Sequence, residues 1–145
     1  MKLNQVKLKK NMSVRDKVIA IVFILLFLFL VGYQVFLGFV PPSLTIREEG
    51  FRVGNFFYNR TVDHDDIESI TLVERSMREI GVGTRVGGLS VSDIRQGNFT
   101  SGFLLVNADV SPTIRIVREG ESNIYISLAD SESTKEFYNE LIGLR

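Results

Sequence analysis

The chain has 145 residues, 45% of them hydrophobic, with no cysteine, no tryptophan and a formal net charge of zero at pH 7. Without cysteine there are no disulfides, thiolate metal sites or cysteine nucleophiles, and the single histidine excludes a two-histidine zinc site. The zero total conceals a split: Lys2, Lys7, Lys9, Lys10, Arg15 and Lys17 against Asp16 give the start of the chain about +5, whereas eleven positive and sixteen negative side chains after Val40 give about −5.

From Val18 to Val40 the run VIAIVFILLFLFLVGYQVFLGFV contains no charged residue. At about 1.5 Å per residue it makes a helix of about 34 Å, enough to cross a hydrocarbon core of about 30 Å. A helix is required there because lipid offers no partner to an open backbone. The reading is residues 1–17 as a basic cytoplasmic leader, 18–40 as one transmembrane helix in contact with the lipid bilayer, and 43–145 as one β domain. Lysine and arginine are denser before the apolar run than after it, so the expected location is the cell membrane, single-pass, N-terminus cytoplasmic and C-terminal domain extracytoplasmic. The exit Gly38-Phe39-Val40-Pro41-Pro42-Ser43 lacks a small-x-small cleavage site, so the helix is expected to stay as a signal-anchor. Pro41-Pro42 ends it.

Beyond Ser43 the apolar period becomes two. Leu44 and Ile46 alternate with Thr45 and Arg47, Glu48-Glu49-Gly50 turns the chain, and Phe51 to Tyr58 returns, with Gly54 marking a bulge or a close backbone approach. Asn59-Arg60 is expected to turn into Thr61-Val62. Ile67 to Glu74 reads as a strand through its β-branched residues. Arg78 to Gly102, with six glycines, reads as a long loop holding one bent strand near Gly88 to Ile94. Phe103 to Ala108, Thr113 to Arg118 and Asn123 to Leu128 follow as strands, the last two expected to have one core face and one wet face. Glu119 to Ser122 is a turn, and Ser111-Pro112 a break. The end has the helical period: Asp130 caps, Phe137, Leu141 and Leu144 share a face, and Gly143 terminates. About seven strands and a closing helix describe a mainly β domain, a small antiparallel barrel or a bent sandwich.

Asp63, His64, Asp65 and Asp66 are the one place where a histidine stands beside carboxylates, and so the candidate metal or acid-base site. Successive side chains alternate in direction, so at most two of the four share a face, and a polar turn is the favoured reading. Gly81 and Gly83, with Arg78, Arg85 and Arg95, make a candidate anion site of backbone amides and guanidinium groups. The spacing matches neither a dinucleotide fingerprint nor a P-loop. No Gly-x-Ser-x-Gly elbow accompanies the single histidine, so a hydrolase triad has no support. The acidic balance argues against nucleic acid.

The domain resembles the bacterial pleckstrin-homology-like family attached to transmembrane helices. The likeness runs from Ser43 to Leu144 and rests on the order of Leu44-Thr45-Ile46 with its Gly50 turn, Asp66-Ile67-Glu68-Ser69-Ile70, Arg78 to Gly88, Gly97-Asn98-Phe99, Tyr125-Ile126-Ser127-Leu128, and Asp130 with Phe137. It implies a seven-stranded antiparallel barrel capped by a C-terminal helix, and no shared catalytic motif. Members often carry two or more transmembrane helices, whereas this chain has one apolar run. The function expected is a non-enzymatic, membrane-anchored interaction or scaffolding module without a cofactor, whose partner is a membrane or surface protein or a second copy. A binder of an anionic small ligand or lipid headgroup through residues 78–98 is the alternative, and a metal-assisted hydrolase at residues 63–66 a more distant one.

Overall fold

The computed structural model describes residues 13–38 and 40–143; the leader before Ser13, Phe39 and Leu144 lie outside them. The chain divides into two compact units between Gln34 and Val35.

Helix α1, Val14–Gly38, is long and apolar enough to cross a membrane, with a mean hydropathy of 2.8 over its most apolar stretch. It starts four residues before the uncharged run because Ser13 and Asp16 cap it reciprocally: the Asp16 amide donates to the Ser13 hydroxyl and the Ser13 amide to the Asp16 carboxylate, each at 3.2 Å. It ends at Gly38, three residues before Pro41.

The second unit is mainly β, but it is neither a closed barrel nor seven-stranded nor wholly antiparallel. Among the described residues, nine strands form two sheets. The smaller is a meander of β1 (Ser43–Arg47), β2 (Gly50–Gly54) and β3 (Asn59–Asp63). Its first turn is Glu48-Glu49, as the sequence suggests. Its second is Asn55–Tyr58, not Asn59-Arg60, so β2 is shorter than the apolar run predicts. The reason is Asn55, whose side-chain oxygen accepts the amides of Phe57 (3.1 Å) and Tyr58 (2.9 Å) and so folds FFY into the turn itself.

The larger sheet has six strands: β4 (Ile67–Val73), β5 (Arg85–Val91), β6 (Ile94–Phe99), β7 (Gly102–Asn107), β8 (Thr113–Arg118) and β9 (Ile124–Ser127), in the order β4-β8-β9-β7-β6-β5. All pairs are antiparallel except β7 with β9. After β7 the chain skips one place to make β8, then returns as β9 to fill the gap, which makes the outer two neighbours of β9 run opposite ways. The turn Glu119–Ser122 is closed by Arg118, which is buried, donates to the Ser122 carbonyl at 2.7 Å and pairs with Glu121.

The residues expected to be a glycine-rich loop are thus a strap and a hairpin. β4 and β5 are opposite edges of the sheet, about 24 Å apart at about 4.8 Å per strand. Residues 74–84 connect them, which is ample, since that many residues reach about 36 Å when extended. The strap contains one turn of helix, α2 (Met77–Ile80), whose Ser76 and Glu79 form a capping box. Met77 is buried with Phe99, Leu104, Val106 and Tyr125, and Ile80 and Val82 pack on the same cluster. This overturns the expected wet face of β9: Tyr125 is buried under the strap. Ile46, by contrast, faces solvent.

The other face of the large sheet supplies Phe103, Leu105, Ile114, Ile116, Ile124 and Ile126 to the main core, joined by Phe51, Val53 and Val62 from the meander. Helix α3, Ser131–Ile142, adds Phe137 and Leu141. Asp130 caps it, accepting the Ser133 amide at 2.8 Å, and this hydrogen bond holds its carboxyl below the ordinary carboxylate range. A carboxyl depressed in the folded state contributes stability above its unfolded pKa of about 3.9 and loses it as pH falls through the lower folded value. The first turn of α3 is therefore expected to fray below about pH 4. Amide exchange at Ser133 and Thr134 measures this, and Asp130→Ala should already show the acid-limb exchange at neutral pH.

Candidate functional site

Arg78, on α2, donates to Asp93 at 3.0 Å and to Asp109 by a shorter bond. Those carboxylates stand in the turns after β5 and after β7, so one guanidinium ties the strap to two connections of the large sheet. The Asp109 bond raises the Arg78 pKa above its ordinary value and lowers that of Asp109. Two carboxylates on one guanidinium leave it no charge to offer an anion.

Arg95 folds back on its own turn, donating to the carbonyl of Ile94 at 2.9 Å and to that of Ser92. Arg85 begins β5 opposite Phe99, whereas Arg95 pairs with Ser90. Along the hairpin that is about 17 Å at about 3.4 Å per residue. The structure therefore brings Arg78 and Arg95 near one carboxylate, Asp109, and leaves Arg85 apart from Arg95. Gly81 caps α2 and spends its amide on the Met77 carbonyl at 2.8 Å. Gly83 has φ +72° and lies against Thr100, whose hydroxyl accepts the Thr84 amide at 2.8 Å. Both glycines serve the strap.

Asp63 ends β3, and His64, Asp65 and Asp66 form a single turn of 3-10 helix leading into β4. Backbone bonds hold it: the His64 amide donates to the Glu49 carbonyl and the Glu119 amide to the Asp66 carbonyl, each at 2.9 Å. Among the described residues, no three histidine or carboxylate side chains come within reach of one metal ion.

Two features were missed in the residue pattern. One is a groove of about 340 Å³ lined by Pro41, Pro42, Ile94, Leu105, Val106 and Leu128, with Asp93, Asn107 and Ser127 among its polar residues. Its walls come from strand ends and connections that only the strand order gathers. The other is β5. It is an outermost strand, so among the described residues one of its hydrogen-bonding sides has no strand neighbour, and its Val86 is 72% exposed. The sequence signal was there in Val86, Leu89 and Val91, but four residues of glycine and serine around them read as loop.

No family model, curated protein or solved structure matches this chain.

Proposed function

We propose that the chain is a non-enzymatic module that α1 anchors in the cell membrane, with the leader cytoplasmic and the β domain extracytoplasmic, and that the domain holds a membrane or surface protein, or a second copy of itself, by strand addition along β5. The pleckstrin-homology-like resemblance is part of this reading. It is favoured by an open small β domain in which Arg78, Arg95 and Arg118 are held by structural partners. The observation that carries it is the unpaired side of β5 beside an exposed Val86. A free edge of seven residues offers a ladder of amides and carbonyls, which natural proteins leave uncovered where another strand is to be added.

The test places a photo-cross-linking side chain at exposed Ser90 of the full chain in its native membranes. A discrete adduct is expected, and Val86→Lys, which puts a charge on the free edge, should lower its yield about tenfold. Equal adducts from Ser90 and from exposed Glu136 on α3, both indifferent to Val86→Lys, would remove the edge from consideration.

A further inference from the structure

Phe56 and Phe57 form the tip of the β2–β3 turn, 82% and 43% exposed, with their rings edge to face at 5.1 Å. The turn beneath them is rigid. Besides the Asn55 bonds, the Asn59 side-chain amide donates to the Asn55 carbonyl at 3.1 Å, and the Asn55 side chain donates to Gln96 on β6 at 2.8 Å. A turn so fixed does not expose two adjacent phenylalanines for want of another conformation.

Where the chain enters the domain says what meets them. The apolar run ends at Val40, so Val40 sits at headgroup level when that run spans the bilayer. Ser43 pairs with Gly54, two residues before Phe56, and Val40, Pro41, Gly54, Asn55 and Phe56 line one cleft. The tip is therefore at the end of the meander where the membrane-spanning run delivers the chain.

Charge runs the same way. Between Glu49 and Asp63 there is no acidic residue, and Arg52 and Arg60 are the charged ones. Glu48, Glu49, Asp63, Asp65 and Asp66 all lie at the other end of the same strands, about 14 Å away at about 3.4 Å per residue. The meander of a domain with an acidic balance overall is thus aromatic and acid-free at the end beside Val40, while Asp93, held by Arg78, lines the neighbouring groove. Arg60 is held by Asn98 at 2.7 Å and over the Phe103 ring. Arg52, however, lines the cleft with Phe56, and an apolar ring beside arginine suits the boundary between acyl chains and anionic headgroups.

We infer that Phe56 and Phe57 insert into the bilayer interface, giving the domain a second attachment that fixes its orientation on the surface. This rests on the anchored reading and not on a protein partner.

The absence of tryptophan makes the test direct. The full chain carrying Phe56→Trp is reconstituted in vesicles of phosphatidylcholine with a minority of phosphatidylglycerol, and then with dibrominated phosphatidylcholine in both leaflets, so that the readout does not depend on which way the chain inserts. Asp65→Trp, at the acidic end, is the control. The Phe56→Trp emission is expected to be blue-shifted and quenched at least about twofold by bromine, with Asp65→Trp changing by less than about a tenth. A blue-shifted emission that bromine leaves alone would mean that protein covers the tip, and a water-like one that nothing does; either overturns the insertion while leaving the anchor intact. A chain that alkaline washing strips from the vesicles would overturn both.

Discussion

Leu141→Ala should lower the unfolding free energy of the β domain by about 2–5 kcal/mol. Leu141 is fully buried on α3, in the same cluster as Ile70, Ile116 and Phe137. Its removal loses the transfer energy of the side chain and leaves a cavity that two sheets and a helix cannot all close upon. A domain of this size has about 5–15 kcal/mol in total, so the loss is a large share of it. Ile142→Ala is the control. That residue is adjacent, equally apolar and 41% exposed, and should change stability by less than about 0.5 kcal/mol. Urea denaturation of both variants with the slope held in view measures the difference. Equal losses would mean that α3 does not pack as described.

The second large effect concerns retention in the membrane. Leu26, Leu28 and Leu30 lie mid-way along α1, exposed on all sides. Arginine at the centre of a spanning helix raises the insertion free energy by about 2.5–3.5 kcal/mol each, so Leu26→Arg, Leu28→Arg and Leu30→Arg together add roughly 8–10 kcal/mol. The unaltered chain should stay in the pellet after alkaline carbonate extraction, and the triple variant should move to the supernatant with its β domain folded. An unaltered chain that appears in the soluble fraction, shortened by its first 40 or so residues, would show a cleaved export signal instead.

Some of the architecture was legible because one physical requirement dominated locally. An uncharged run long enough to span lipid admits one conformation, so α1 was readable, apart from its start. Asp130, Phe137 and Leu141 at helical spacing gave α3 in the same way. Ile114 with Ile116, and Ile124 with Ile126, disclosed β8 and β9, since each strand faces the main core with period two.

The failures have physical causes too. Gly87, Gly88 and Gly97 suggested loop, yet they belong to a hairpin: a Cβ on Gly97, at φ +107°, would stand 2.6 Å from the Gly87 carbonyl oxygen and 3.3 Å from the Tyr58 ring. Glycine is there so that backbone can approach backbone and an aromatic ring can lie on the strand. The continuous apolar run Phe103 to Val106 carried the signal of a strand covered on both faces. Its cover, Met77, comes from a strap that local pattern cannot orient. Strand order was illegible for a like reason, since insertion of β9 between β7 and β8 is decided by side chains far apart in the chain. Of the candidate site residues, the three arginines were grouped by nearness in sequence, and the β5–β6 hairpin separates Arg85 from Arg95 by most of its length.

The place of β9 bears on biosynthesis. Ribosomes deliver Ile124–Ser127 after every other described strand, yet its slot is interior, flanked on both sides. Until it arrives, β7 and β8 each present a bare apolar margin to whatever is nearby, and a nascent chain halted before Asn123 keeps that gap permanently. Truncation products of this protein should accordingly clump or be degraded, whereas the meander, complete by Asp63 and joined only by short-range pairings, forms early in translation.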